Sequence, residues 1–150
     1  NGSLRIPSMS MTPEERKHAP LKADASKFRV LVVDDSAFMV KHLSRILVGA
    51  GFDVIGSAAD GEDAISKFRE LRPDIVTMDM TMPNMNGIQA IDHIRMIDRK
   101  AEIVAVTALG HEDIIRTLLS IGGTHYLVKP VQPERVIAVM HAVADRLGQG

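Results

Sequence analysis

Five polar side chains of this chain stand where short apolar runs end: Asp34 and Asp35 after RVLVV, Asp79 after DIVTM, Thr107 after EIVAV and Lys129 after THYLV. Carboxylates brought to one rim repel by about 4 kcal/mol per pair at 4 Å and an effective dielectric near 20. A cation must offset that, and an all-oxygen site with few carboxylates and room for water suits Mg²⁺ better than a softer metal. Lys129 adds a fixed positive charge and Thr107 a hydroxyl donor. Carboxylate, Mg²⁺, lysine and hydroxyl are together the parts that phosphoryl transfer needs, because that chemistry is mostly positioning and charge neutralisation. Asp34 and Asp35 are adjacent and read as metal ligands. Asp79 stands alone and can be the acceptor, as carboxylates are in aspartyl-phosphate chemistry. Taken singly, each residue has a plainer use: Ser36 or Asp35 can cap a helix, a lone Asp can close a turn, and a Lys before Pro can simply be solvated. Their joint placement on four run ends favours the chemical reading.

The elements that must position these residues are legible from residue 28 onward. The five runs, at 29–33, 53–57, 74–78, 102–106 and 124–128, are nearly continuous in apolar residues, which predicts buried strands. Amphipathic stretches alternate with them. Met39, Leu43, Ile46, Leu47 and Ala50 mark one face of a first helix that stops at Gly51, and Val136, Ile137, Met140, Val143, Ala144 and Leu147 mark the last. Repeated βα alternation of this kind predicts an α/β domain with a parallel sheet covered on both sides. In such a sheet, ligands bind outside the carboxyl ends of the strands, where the five polar residues fall.

Composition narrows the classes. The 150 residues carry 18 basic and 19 acidic side chains, so the basic excess of a domain held on nucleic acid is missing. No apolar run approaches a membrane span. Absence of cysteine excludes disulfides and thiolate metal sites and fits a cytoplasmic location. Six histidines show no zinc spacing. Residues 1–27 read as a cloning remnant followed by a disordered N-terminal tail, and 148–150 as a C-terminal tail.

The segments VLVVDDSAFM, PDIVTMDMTMPNMNG, VAVTAL and YLVKP together resemble the receiver domains of two-component response regulators, over residues 28–147. The resemblance implies a flavodoxin-like (βα)5 fold, doubly wound, with a five-stranded parallel sheet of order 2-1-3-4-5. It implies that Asp79 is phosphorylated by a histidine kinase and that Mg²⁺ is held by Asp34, Asp35, Asp79 and the backbone carbonyl of Thr81. Lys129, followed by a cis peptide to Pro130, would pair with the phosphate. Thr107 would move to hydrogen-bond a phosphoryl oxygen, and Tyr126 would follow it. DDSAFM, TMPNMNGI and KPVQPERV are most similar to single-domain chemotaxis regulators. Val131 and Val40 depart from that subgroup's usual Phe and Arg and bear on partner choice. Leu109 offers no group to orient an attacking water, which implies a long-lived phosphate.

A phosphoacceptor needs a surface that responds. In EDIIRTLLSI, Ile114, Leu118 and Ile121 form one stripe, and Ile115 and Leu119 a second that, with Val139, is the expected partner face for a downstream effector, the flagellar motor or another output, or for a phosphorylation-dependent dimer. The chain is thus expected to be a signalling phosphoacceptor that assists its own phosphorylation and dephosphorylation, binding neither nucleic acid nor membrane. Two alternatives remain: a receiver fragment of a multidomain regulator with DNA-binding or enzymatic output, and an aspartyl-phosphate phosphatase. The phosphatase is disfavoured, because Ser36 and Ala37 stand two residues after Asp34 and Asp35, where such enzymes carry an acid.

Overall fold

The computed structural model describes residues 28–81, 87–108, 112–120 and 125–149. The expected N-terminal tail, Leu109 and Ile121 lie outside them. Strands β1 (Arg29–Val33), β2 (Asp53–Ala58), β3 (Ile75–Asp79), β4 (Glu102–Ala108) and β5 (His125–Lys129) alternate with helices α1 (Ala37–Gly49), α2 (Gly61–Leu71), α3 (Gly87–Ile97), α4 (Glu112–Ser120) and α5 (Pro133–Gln149). All strand pairs are parallel and the sheet order is β2-β1-β3-β4-β5, as expected. α5 continues to Gln149, past the expected boundary at 147.

Side chains alternate across each strand, so one sheet makes two cores. Val30, Val32, Ile75, Val104, Val106 and Leu127 face α1 and α5. Leu31, Val33, Val76, Met78, Ile103 and Ala105 face α2, α3 and α4. This two-sided burial is why the runs read as continuous rather than alternating.

α1 begins at Ser36, whose hydroxyl accepts from the Met39 N–H, and ends with the Gly51 N–H on the Val48 carbonyl and the Phe52 N–H on the Leu47 carbonyl. That pairing is a Schellman ending. It requires the left-handed backbone that Gly51 adopts at φ 98° and so returns the chain into β2. Leu47 is fully buried. Leu47→Ala is expected to cost about 2–5 kcal/mol in urea unfolding, a cavity penalty; a loss under about 1 kcal/mol would show that α1 is not held through this stripe.

Arg29 joins the bottom of β1 to the end of α2, donating from its guanidinium to the carbonyls of Leu71 (2.7 Å) and Arg72 (2.8 Å). Its backbone N–H donates to Asp74 Oδ2 at 2.9 Å, ahead of β3. These bonds satisfy orphan carbonyls at a helix end and set where β3 starts.

Two surface expectations need correcting. Val139 is 7% exposed and belongs to the α1/α5 core. The buried stripe of α5 includes Val136, Val139, Met140, Val143 and Ala144, so Val139 cannot form a partner face. Val131 is likewise buried, at 6% exposed, and is a core residue. Leu119, in contrast, is 60% exposed. Ile115 is half-buried, as is Val40.

Candidate functional site

The carboxyl ends of β1, β3 and β5 bring three of the expected side chains into direct contact. Lys129 Nζ lies 3.4 Å from Asp34 Oδ2 and 3.4 Å from Asp79 Oδ1. Asp34 and Asp79 are buried and Asp35 is exposed. One carboxylate oxygen from each of Asp34, Asp35 and Asp79 falls within 4.8 Å of the others, close enough for one cation to touch all three.

Backbone pairing fixes these positions. The Asp34 N–H donates to the Ala58 carbonyl at 3.0 Å, extending the β1–β2 ladder to the site. Asp79 is in register with Val106 of β4, and the Met80 N–H donates to the Val106 carbonyl at 2.9 Å, so β3 is held to its end. The Lys129–Pro130 peptide is cis, as the resemblance implied.

Individual bonds then orient the carboxylates. Asp34 Oδ1 accepts from the Ser36 N–H at 2.9 Å, so this acid also organises the turn into α1. Asp79 Oδ1 accepts from the Thr81 N–H at 3.0 Å and the Thr81 hydroxyl at 2.9 Å. Sequence reasoning assigned Thr81 a backbone carbonyl role and missed these two donors; an Asp followed two residues later by Thr is the turn signal that could have suggested them. Among the described residues, Asp79 Oδ2 is buried without a hydrogen-bond partner, and so is Thr107 Oγ1.

Burial pushes the Asp34 carboxyl above the usual carboxylate range. The Ser36 N–H opposes that, the Asp79 charge adds to it, and Lys129 opposes it through charge and hydrogen bonding. Lys129 thus does not offset the burial of the Asp34 carboxyl. A cleft of about 330 Å³ opens beside Asp34 and Asp35, walled also by Ala37, Lys41, Ser57 and Lys67, and gives water and ions access.

Thr107 and Tyr126 sit together on the other sheet face. Thr107 is in register with Val128, and Ala105, two residues below it, with Tyr126. Tyr126 packs half-buried against the core shared by α2, α3 and α4, as does Ile114 of α4. Thr107, Tyr126 and Ile114 thus lie on the same side of the sheet.

Comparison with known proteins agrees with this geometry. The family model of the response regulator receiver domain matches residues 30–141. The chain is 46% identical over 116 residues to the chemotaxis protein CheY of Thermotoga maritima, covering 77% of this chain and 97% of that protein. It is 41% identical to the Bacillus subtilis CheY, covering 75% and 94% respectively. Among solved structures it is similar to the crystal structure of the CheX-CheY-BeF3-Mg+2 complex from Borrelia burgdorferi, with a TM-score of 0.73 and 40% identity over 77% of this chain and 88% of that one.

Proposed function

We propose, since this chain belongs to the response regulator receiver domain family, that Asp79 accepts a phosphoryl group from a histidine kinase in a chemotaxis-type system. The observation that carries the reading is the half-satisfied Asp79 carboxylate. Oδ1 is fixed by Thr81 and Lys129, while Oδ2 is buried and uncommitted beside two further carboxylates. A buried unpaired carboxylate oxygen is costly unless something cationic or electrophilic meets it.

The donor set fits Mg²⁺. Asp34, Asp35, Asp79 and the Thr81 carbonyl would hold it, and when bound it neutralises the carboxylates and the charge on the transferred group. Asp79 forms the new oxygen–phosphorus bond as the phosphorus–nitrogen bond of the phosphohistidine breaks and the imidazole leaves. Lys129 then trades its contact with Asp79 for a phosphoryl oxygen, and the buried Thr107 hydroxyl, which has no hydrogen-bond partner among the described residues, donates to another. Mg²⁺-dependent labelling by a small phosphodonor, lost on chelation, tests this; labelling that ignores chelation would refute the metal assignment.

The same step supplies a switch. A phosphoryl oxygen that draws Thr107 upward vacates space above Tyr126, which turns inward and lets α4 reset, a population shift between two packings. The responsive surface is then α4 and β5, with Ile115 and Leu119 as its apolar contacts for an effector. Binding the beryllofluoride adduct is expected to move the Tyr126 ring and α4 backbone resonances in NMR, leaving α1 and α5 signals away from the site in place. Unchanged Tyr126 and α4 signals on activation would rule the coupling out. No described helix is long and apolar enough to cross a membrane, and the proposed partners place the chain in the cytoplasm.

A further inference from the structure

The cleft beside Asp34 and Asp35 has a second wall where β2 turns into α2, and side chains that the phosphorylation chemistry does not use hold that wall in place. β2 is an edge strand, so its successive peptide groups point alternately toward β1 and away from the sheet. The Ala58 carbonyl points to β1 and accepts from the Asp34 N–H at 3.0 Å. The Ser57 carbonyl therefore points outward, and Lys67 Nζ of α2 donates to it. Lys67 Nζ also lies 3.4 Å from Asp63 Oδ2, one helical turn earlier. That same oxygen accepts from the Ala59 N–H at 3.4 Å, and the Asp63 N–H is itself fixed on Asp60 Oδ1 at 2.8 Å.

The Ala59 N–H and the Ala58 carbonyl belong to one planar peptide unit, so Asp63 and Asp34 hold opposite ends of the same plane. An i, i+4 Asp–Lys pair on a helix surface contributes little when it only spans a turn of that helix. This pair reaches off α2 instead, to the end of β2. Val33 and Ala58 are the last register pair of β1 and β2, which leaves the Asp34 bond just past the ladder, where strand ends open most readily.

We infer that Lys67 is a positioning residue for the acidic pair: with Asp63 it locks the peptide plane between Ala58 and Ala59, and through the carbonyl of that plane it sets where the Asp34 backbone stands at the cleft. This rests on the phosphoacceptor reading and adds a residue to it. Lys67 touches neither metal nor phosphoryl group.

The test compares wild type, Lys67→Met, Lys67→Arg and Lys41→Met by MgCl₂ titration and by amide hydrogen exchange of the metal-free proteins, both followed by NMR. Charge and position predict opposite signs. Lys67→Met removes a positive charge from the cleft wall, which by Coulomb's law alone would tighten Mg²⁺ binding. Loss of the lock is expected instead to weaken it by about tenfold. The Asp34 amide is expected to exchange about fivefold faster, the effect of one lost hydrogen bond, while core amides such as that of Ile94 keep their rates. Lys67→Arg, which can still donate to the Ser57 carbonyl and pair with Asp63, is expected to restore both. Lys41→Met removes a charge from the α1 side of the same cleft and is expected to bind Mg²⁺ at least as tightly as wild type. Mg²⁺ binding by Lys67→Met as tight as that of wild type or tighter, or an unchanged Asp34 exchange rate, overturns the inference and leaves the reading of the site standing. Wild type that binds no Mg²⁺ overturns the reading of the site and the inference with it.

Discussion

Asp79→Asn is expected to take up no phosphate from a small donor under conditions that label the wild type, a loss to background rather than a partial effect. The substitution keeps the shape of the side chain. Asn Oδ1 can still accept from the Thr81 N–H and hydroxyl, the two bonds that now orient Asp79. What disappears is the nucleophile, because an amide nitrogen in place of Oδ2 has no lone pair available for attack on phosphorus. Removing one of three clustered carboxylates also relieves repulsion, so thermal unfolding should show a folded protein of equal or greater stability. Lost labelling with retained melting separates chemistry from folding. Persistent labelling of Asp79→Asn would move the acceptor elsewhere and remove the central reading.

The legibility of this chain differs from element to element, for physical reasons. β1 and its carboxyl-terminal acids could be read at once, since a strand buried on both faces is a continuous apolar run and the first charge marks its end. β4 runs two residues beyond its apolar signal, to Ala108, because Thr107 and Ala108 pair with Val128 and Lys129 although neither is strongly apolar. Backbone pairing, not side-chain hydropathy, decides that boundary. The buried face of α5 is wider than the stripe Val136, Ile137, Met140, Val143, Ala144 and Leu147 suggests, and the i, i+3, i+4, i+7 pattern Val136, Val139, Met140, Val143 carries the signal that places Val139 in the core. Arg72 in the left-handed region at φ 47° and the Arg29 bonds beside it have no local sequence signature. They arise from tertiary closure between residues 43 positions apart.

The candidate site divides along the same line. Which residues gather could be inferred from strand ends, because an open parallel sheet puts those ends on one rim. How each oxygen is committed could not, since that depends on angles within the Asp79–Thr81 turn. Among the described residues, that commitment leaves Oδ1 held and Oδ2 open.

Asp34→Asn is expected to move metal affinity and metal-free stability in opposite directions, and this opposition is diagnostic of a site built for a cation. The raised Asp34 pKa, caused first by burial, means that the folded protein holds the proton more readily than the unfolded chain. Its contribution to stability is therefore present below the ordinary aspartate value of about 3.9 and is lost as pH rises through the raised folded value. At neutral pH the metal-free wild type carries this burden in full, whereas Asn, which mimics the protonated acid and can keep the acceptor for the Ser36 N–H, does not. Asp34→Asn should then melt higher than wild type at neutral pH without Mg²⁺, with the difference vanishing as the pH falls below the carboxylate range. Saturating Mg²⁺ reverses the order, because only the ionised acid ligates: wild type gains stability by mass action, and the variant's Mg²⁺ affinity drops by about tenfold or more. Variants that lose stability without metal and bind Mg²⁺ as wild type does would show that Asp34 serves the α1 turn alone, through Ser36, and not the cation site.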